Sequence, residues 1–531
     1  MRPGRILLAV CAVAGWVAAQ ADLDYLVVTP SHLVPAFDTF VVWRTRCGMR
    51  TTAVAVESVL VHAQGRDFPE KLRNFIRSYH ESLGTRWVLL GGGSELVPVR
   101  MAYTPGNLTD YSPCDLYYSD LDGTWDADGD GIFGEESDSV DFHADVFVGR
   151  APVVSAAQVQ SLTDKWRRFE QEPAPDYLAR LLEAGDTANL GPPPGWFVAK
   201  LMPPVGRYDF RDSLEAGFQL VWHVGHATRT QLVLGTQTIL DTFDARSLQN
   251  RDRLAVLNST GSEVAAFDGN CIGSCLVDNP DGGCAAVLGN SRAGWVACRE
   301  LYAWFYVSLF GADTLHALGE NHARTKDRFV PLARTNRYWR QSLYVWTLLG
   351  DPGLRLWTDT ARLLEVNHSA VLDTGLQDFV ITFRSGGAPC LGLVCLWKGN
   401  EVYERRWLDG GGSIPIHPRT PGEMLVTVTA PNHPAYLGYC GFATALTDSP
   451  PTQPGRAFST ILRGVLRLEV GSRQHTAYRT ELLDISGRSV MTLRAGLNDV
   501  SHLAPGVYFV RSEPSAVSRK PSALTKVVIA R

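Results

Sequence analysis

An acidic loop near residue 130 has residue types and spacing that suit a cation. Three aspartates stand two residues apart before a turn at Gly131. Hard cations such as Ca²⁺ take about six to eight oxygen ligands, and this spacing wraps carboxylates round one point. The EF-hand pattern would place Glu where Ser137 stands, so a neighbouring acidic residue must substitute. We expect a structural Ca²⁺ site whose ligands are Asp126, Asp128, Asp130 and Glu135. The alternative is a solvated acidic turn that binds no ion.

His226 is the candidate acid–base residue. It follows an apolar stretch that ends near Trp222. In open α/β sheets, functional sites form beyond the carboxyl ends of the strands. Histidine exchanges protons near neutral pH, although a single histidine is more often structural than catalytic. His223 is the competing residue, but it lies closer to the predicted strand.

A segment rich in small and hydroxyl side chains, residues 257–271, follows another predicted strand. A nucleophile in this segment would lie at the same edge of the sheet as His226. Hydroxyl and thiol groups both form covalent intermediates once a base removes their proton. Spacing alone does not choose among the candidates, which are Ser259, Ser262, Cys271 and Cys275.

Strands and helices alternate through the first 358 residues, and they must position these side chains. Helical spacing of apolar residues covers 68–82 and 154–169. The pattern predicts a mostly parallel α/β sheet flanked by helices, in two subdomains of roughly 22–150 and 151–358. The predicted strands are 24–30, 51–56, 87–90, 146–148, 219–222, 253–257 and 285–288.

The pattern changes after residue 358. Residues 361–443 alternate with period two between glycine-containing turns, which predicts a small β-sandwich. Residues 444–458 are proline-rich and polar, as in a linker. Residues 459–531 again resemble strands. Cys390 and Cys395 are close enough in sequence to suggest a short-loop disulfide within the sandwich.

The N-terminus has the composition of an export signal. Arg2 and Arg5 precede an apolar run that ends in small residues near position 20, so we expect residues 1–20 to be cleaved. Cleavage would leave nine of the ten cysteines, and no other long apolar run predicts a transmembrane segment. Lys+Arg 50 against Asp+Glu 55 gives a net charge of −5, which excludes broad nucleic-acid binding.

Residues 23–358 contain a set of motifs in a fixed order: Trp87–Gly92, Asp115–Asp126, Asp145–Arg150, Gly225–His226, Ala266–Asp268 with Cys271, Gly289–Arg292 and Leu349–Pro352. Taken together, these motifs resemble those of the gingipain-type cysteine peptidases, whose fold is caspase-like. The resemblance implies endopeptidase hydrolysis of extracellular polypeptides.

The resemblance assigns roles to particular residues. The family's catalytic histidine falls on His226, and Ala227 stands where glycine is usual. Asp145 matches an acidic residue that orients the histidine, and the N–H groups of Ala227 and residue 262 would form an oxyanion hole. Aligning the Phe-Asp pair at 267–268 places Ser262 where the family has its nucleophilic cysteine.

The serine leaves three readings open. A serine hydroxyl is far less acidic than a thiol, whose pKa is about 8.5, and it needs concerted proton removal by a histidine. The protein is therefore a non-catalytic homologue, a serine-using hydrolase, or an enzyme whose thiol is Cys271 or Cys275. The non-catalytic reading describes a Ca²⁺-stabilised surface protein with a binding or structural role.

The C-terminal region resembles the sorting domains that end cargo of the type IX secretion route of Bacteroidetes-like bacteria. Three segments carry this resemblance: Leu482–Val490, Leu503–Val510 and Thr525–Arg531. The preceding sandwich resembles the immunoglobulin-like domain that follows the family's catalytic unit. These resemblances imply export across the outer membrane, partnership with the secretion machinery, and a secreted or cell-surface location.

Overall fold

A computed structural model describes residues 22–442, apart from 108, 187–189 and 312–314. In the C-terminal unit it describes 461–462, 465–468, 479–484, 488–494, 496–500, 503–504, 506–513 and 523–529. The predicted signal peptide at 1–20 and the predicted linker at 444–458 lie outside the described residues. No helix in the described part is both long and apolar enough to span a bilayer.

The described residues of the α/β unit form fifteen strands and eleven helices. The strands are β1 Tyr25–Thr29, β2 Thr51–Ala55, β3 Trp87–Gly91, β4 Arg100–Tyr103, β5 Tyr111–Cys114, β6 Phe147–Ala151, β7 Arg180–Ala184, β8 Phe197–Leu201, β9 Leu220–His223, β10 His226–Thr228, β11 Gln231–Leu234, β12 Gln237–Asp241, β13 Ala255–Ser259, β14 Cys284–Asn290 and β15 Trp346–Leu349. The helices are α1 Asp38–Arg46, α2 Val56–His62, α3 Phe68–Leu83, α4 Ala156–Gln171, α5 Asp209–Ala216, α6 Thr242–Ser247, α7 Ile272–Asp278, α8 Arg299–Phe310, α9 Leu318–Asp327, α10 Val330–Ala333 and α11 Arg337–Val345.

One ten-stranded sheet runs through the α/β unit in the order β2-β1-β3-β6-β15-β14-β13-β9-β7-β8. Every pairing in it is parallel except β14 with β15. The predicted, mostly parallel sheet is therefore confirmed. The two expected subdomains share this single sheet, because β15 from the end of the α/β unit inserts between β6 and β14.

Helix α3 corresponds to the helix that the spacing of apolar residues predicts over 68–82. The Asp67 carboxylate accepts a hydrogen bond from the Glu70 N–H, which caps the first turn. Leu72 and Ile76 are fully buried against the sheet. Gly84 ends the helix with φ of 73°, a left-handed conformation that favours glycine.

A buried ion-pair network ties both ends of the α/β unit together. The Arg44 guanidinium contacts the carboxylates of Asp351 and Glu170, and all three side chains are at most 10% exposed. The Tyr25 hydroxyl donates to the Asp351 carboxylate at 2.7 Å. Because β1 and α1 come early in the chain and Asp351 comes late, the network fastens the start of the fold to its end.

Two sheets form the sandwich, which packs with the α/β unit as one compact body. Its strands are β16 Leu364–His368, β17 Val371–Leu372, β18 Gln377–Ser385, β19 Ala388–Pro389, β20 Leu391–Lys398, β21 Val402–Asp409, β22 Gly411–Ile416, β23 Met424–Thr429 and β24 Tyr436–Phe442. One sheet contains β16, β18, β19 and β22, and the other has the order β17-β24-β23-β20-β21. The Tyr403 hydroxyl donates to the Thr45 carbonyl at 3.2 Å across the junction with α1.

The predicted Cys390–Cys395 disulfide is wrong, because both thiols are free. Cys395 lies within strand β20 and Cys390 directly precedes it. An extended strand rises about 3.3 Å per residue, so five residues separate the two Cα atoms by ~16 Å. A disulfide needs Cα atoms about 4.4–6.8 Å apart.

The C-terminal unit is a second compact body, and its described residues lie mostly in strands. Its strands are β25 Ile461–Leu462, β26 Val465–Leu468, β27 Arg479–Leu483, β28 Ser489–Leu493, β29 Gly496–Asp499, β30 Gly506–Glu513 and β31 Ala523–Ile529. A five-stranded sheet has the order β25-β31-β30-β27-β28, and β26 pairs with β29. Leu482, Leu493, Val500 and Val510 are buried in its core.

Replacing Asp351 tests the buried network. Asp351→Ala leaves the Arg44 guanidinium with one fewer carboxylate in a buried setting, so we expect a loss of about 3–5 kcal/mol in the free energy of unfolding. Urea unfolding followed by circular dichroism measures this loss. The control Asp359→Ala removes an exposed pair with Arg362 and should cost at most about 1 kcal/mol. Equal losses in the two variants would contradict the network's role.

Candidate active site

The histidine hairpin lies directly against the turn that carries Ser262. His226 is exposed on β10, which pairs with β11 so that His226 faces Val233. A Cβ added at Gly261 would lie only 2.6 Å from the Ala227 Cβ, so any side chain at position 261 would require the hairpin or the turn to shift. The segments that carry His226 and Ser262 are thus in contact through their neighbours Ala227 and Gly261.

The Ser262 turn is held by backbone contacts on both sides. The half-buried Ser262 hydroxyl accepts a hydrogen bond from the Gly294 N–H at 3.2 Å. Glu263 has a left-handed φ of 57°, and its N–H donates to the Arg292 carbonyl at 2.9 Å. The Ser262 N–H has no hydrogen-bond partner among the described residues. It is therefore free to donate to a developing oxyanion.

Asn290, at the end of β14, supports the same turn from below. Its amide nitrogen donates to the carbonyls of Thr260 and Gly261 at 3.0 and 3.1 Å. Its amide oxygen accepts from the Tyr302 hydroxyl at 2.7 Å. Because Asn290 is fully buried, these hydrogen bonds hold the Ser262 turn in a fixed position relative to the end of β14.

Asp268 joins three segments around the site. It forms ion pairs with Arg229, which directly follows β10, at 3.2 Å, and with Arg292, which follows β14. Burial raises the pKa of Asp268, but the guanidiniums of Arg292 and Arg229 outweigh it and lower the pKa overall. Local sequence spacing does not reveal this role of Asp268, because its partners Arg229 and Arg292 are distant in the chain.

The remaining nucleophile candidates are poorly placed. Burial raises the pKa of the Cys271 and Cys275 thiols, which disfavours the reactive thiolate. The Cys271 sulfur accepts from the Ser274 N–H at 3.4 Å and caps α7. Ser259 and His223 are fully buried and hydrogen-bonded to each other at 2.8 Å. These contacts engage Ser259 and Cys271 within the surrounding fold.

The geometry does not support the expected role of Asp145. Its carboxylate accepts from the Leu121 N–H at 2.7 Å, and no hydrogen bond joins it to His226 within the described part of the chain. Asp145 precedes β6, which lies four strand positions from β9. At a spacing of ~4.8 Å, four positions amount to about 19 Å, too far for the carboxylate to orient the imidazole.

Asp186 is an acidic residue that the sequence analysis missed. It follows β7, the strand beside β9, and Ala184 pairs with His223. Its carboxylate forms an ion pair with Arg299 at 2.6 Å. The local sequence does not predict that β7 lies next to β9, because strand order depends on long-range packing. The position of Asp186 near His223 could therefore not be predicted from spacing.

Three of the four expected metal ligands cluster. Carboxylate oxygens of Asp126, Asp128 and Asp130 lie within 4.8 Å of one another, and Glu135 lies outside this group. Glu135 instead accepts a hydrogen bond from the Ser137 hydroxyl. Asp126 also contacts the Arg66 guanidinium at 2.5 Å, which balances part of the negative charge.

Residues 18–357 match the sequence profile of Peptidase family C25. The chain belongs to this family. The gingipain-type resemblance and the hydrolase and cysteine-peptidase class are thereby confirmed, and polypeptides are the substrate class of such a family. No curated protein matches the chain significantly.

Solved structures of gingipains share the fold. The complex of Porphyromonas gingivalis RgpB pro- and mature domains matches with 17% identity and a TM-score of 0.65, over 79% of this chain and 100% of that chain. The Arg-specific cysteine proteinase gingipain R matches with 18% identity and a TM-score of 0.66, over 80% and 99% respectively. These likenesses confirm the caspase-like α/β fold.

A pair of substitutions tests the contact between hairpin and turn. Gly261→Ala places a methyl group against Ala227 and should destabilise the fold by about 1–3 kcal/mol through overpacking. Adding Ala227→Gly to the same chain should recover part of that loss, because it removes the opposing methyl group. Thermal unfolding of the two single variants and the double variant measures the recovery. Strictly additive effects would contradict the contact.

Proposed function

We propose that this C25 protein is an exported endopeptidase that hydrolyses extracellular polypeptides with Ser262 as its nucleophile. The observation that carries the proposal is the packing of the His226 hairpin on the Ser262 turn. The Ser262 N–H, which has no hydrogen-bond partner in the described part of the chain, supports an oxyanion site. Family membership supports the reaction class.

The reaction follows from these positions. The His226 imidazole removes the Ser262 proton as the hydroxyl oxygen attacks the scissile carbonyl carbon. The N–H groups of Ser262 and Ala227 donate to the oxyanion of the tetrahedral intermediate. The imidazolium then protonates the leaving amine, and an acyl-enzyme ester remains. Water then attacks the ester carbonyl carbon while the His226 imidazole removes its proton. The imidazolium returns a proton to the Ser262 oxygen, which releases the carboxylic acid and regenerates the serine.

Asp186 is the carboxylate we propose to assist His226 in place of Asp145. It lies at the strand edge next to β9, whereas Asp145 belongs to a strand four positions away. A carboxylate beside the histidine stabilises the imidazolium that forms when Ser262 loses its proton. The pair with Arg299 holds Asp186 in place.

A non-catalytic surface-binding role is the second candidate, and a specific contact favours it. The Ser262 hydroxyl accepts a hydrogen bond from the Gly294 N–H, and no hydrogen bond joins it to the His226 imidazole among the described residues. A serine needs the base within reach, whereas a thiolate forms more readily without it. Loss of the family cysteine would then leave the fold as a binding scaffold.

Export and sorting form part of the proposal. Residues 1–20 have the pattern of a signal peptide, and residues 459–531 resemble a type IX sorting domain. The described C-terminal strands form a small β-unit of their own, which is compatible with a separable sorting module. We propose that the secretion machinery is its partner.

A structural Ca²⁺ ion in the acidic loop also remains a proposal. Asp126, Asp128 and Asp130 offer carboxylate oxygens close enough to share one ion, so the donor set suits a hard cation. The Asp138 carboxylate accepts from the N–H groups of Ala127 and Gly134, which holds the loop closed. Bound Ca²⁺ would contribute to stability rather than to the chemistry at Ser262.

Peptidase activity separates the two candidate functions. We expect the mature protein to cleave a mixed peptide library, and Ser262→Ala and His226→Ala each to reduce the rate by at least ~10³-fold. Mass spectrometry of the products measures cleavage. The control His32→Ala changes an exposed histidine in another turn and should leave the rate unchanged.

Other outcomes identify the alternatives. An inactive wild type that gains activity through Ser262→Cys would support the non-catalytic homologue. Activity that survives Ser262→Ala but is abolished by a thiol alkylator would place the nucleophile at Cys271 or Cys275.

Chelation tests the metal. Removing Ca²⁺ should lower the melting temperature, because a ligand at 100 times its Kd stabilises the folded state by ~2.7 kcal/mol. Asp128→Asn should abolish this response, whereas Asp212→Asn, which changes an exposed side chain on α5, should retain it. A melting temperature that a chelator leaves unchanged in the wild type would contradict the site.

A further inference from the structure

Two buried polar side chains lie beneath the candidate site. His223 ends β9 and Ser259 ends β13, and the two residues pair directly in the parallel register. Both are fully buried, and the His223 Nδ1 lies 2.8 Å from the Ser259 hydroxyl oxygen. Burying two polar groups in a sheet costs free energy unless their hydrogen bonds are made. All of their bonds point toward segments of the site.

The direction of each bond follows from the acceptors. The His223 Nε2 lies 3.3 Å from the Val233 carbonyl, which can only accept, so Nε2 carries the proton. Burial lowers the pKa of His223 to about 4, so the ring is neutral at pH 7 and Nδ1 is an acceptor. The Ser259 hydroxyl therefore donates to Nδ1 and accepts from the Gly261 N–H at 3.1 Å.

The two ends of this series of hydrogen bonds lie at backbone groups next to the residues that carry the reacting side chains. Gly261 directly precedes Ser262, and Val233 pairs with His226 across the β10–β11 hairpin. Gly225 makes the approach possible, because an added Cβ there would lie 2.3 Å from the Val233 carbonyl and 2.8 Å from Nε2. Three consecutive hydrogen bonds thus connect the nucleophile turn with the strand opposite the base.

We infer that His223 and Ser259 are positioning residues that set the His226 imidazole against the side chain of residue 262. The inference rests on the proposed function and deepens it. Neither residue touches the substrate. Both act through backbone groups, the Gly261 N–H and the Val233 carbonyl. Misplacing a catalytic group by about 1 Å can reduce a rate ~10²-fold, so a short chain of bonds is enough to matter.

The test uses a probe that does not require turnover. In a Ser262→Cys background, the alkylation rate of the introduced thiol by iodoacetamide is followed from pH 5 to 9 by peptide mass spectrometry. A neighbouring imidazolium lowers the pH midpoint of alkylation below the ordinary thiol value of about 8.5. Adding His226→Ala defines the midpoint without the base. Melting temperatures of all variants report folding separately.

Three substitutions each change one part of the chain of bonds. Ser259→Ala removes both bonds of the hydroxyl, His223→Asn keeps an acceptor near the Nδ1 position, and His223→Gln keeps a donor near the Nε2 position. We expect each substitution to raise the pH midpoint of alkylation toward the value of the His226→Ala variant. For Ser259→Ala we expect alkylation at pH 7 to slow by ~10-fold, because a midpoint one pH unit higher leaves about tenfold less thiolate. The two His223 variants preserve polarity, so they keep the test valid if Ser259→Ala does not fold.

The outcomes separate the two hypotheses. A lower melting temperature with an unchanged midpoint, in a background that responds to His226→Ala, would overturn the positioning role alone. A background midpoint equal to that of His226→Ala would contradict the pairing of His226 with residue 262. The proposed function would then fail, and this inference with it.

Discussion

The antiparallel pairing of β14 with β15 governs the arrangement of the site. On one side of this pair the sheet continues through β13 and β9, all parallel to β14. Parallel strands end at a common edge, so His223, Ser259 and Asn290 come to lie side by side. Every loop that carries a reacting or supporting group leaves the sheet at this edge.

Polar contacts at that edge fix the positions of the loops that follow the strands. Asn290 fixes the carbonyls before Ser262, and Asp268 holds the segments that carry Arg229 and Arg292. Unpaired polar groups at these depths would each cost about 1–3 kcal/mol, so each satisfied contact restricts the loops to one arrangement. The site is therefore shaped by groups that never touch a substrate.

Local patterns predicted much of this fold. The strands at 51–56 and 87–90 and the helix at 68–82 match β2, β3 and α3 within a residue or two, because periodic burial and end caps are encoded by neighbouring residues. The approach of the segments that carry His226 and Ser262 could also be anticipated, since each segment follows the end of a strand.

Long-range features could not be predicted in this way. The distance between Asp145 and His226 depends on β15 and β14 inserting between β6 and β13, and no local spacing records that insertion. The Cys390–Cys395 pairing failed for a related reason, because sequence proximity says nothing about whether a chain is extended. Asp268 and Asp186 were overlooked because their partners are remote in sequence.

The serine at position 262 changes what this shared geometry must supply. A thiolate needs mainly a charge partner, whereas a hydroxyl needs its base aligned at the moment of attack. The Gly294 N–H that bonds the Ser262 hydroxyl would stabilise negative charge on that oxygen, but it cannot accept the proton. Proton removal therefore depends on where the exposed His226 is held. The buried contacts that fix its hairpin matter more for a serine than they would for a cysteine.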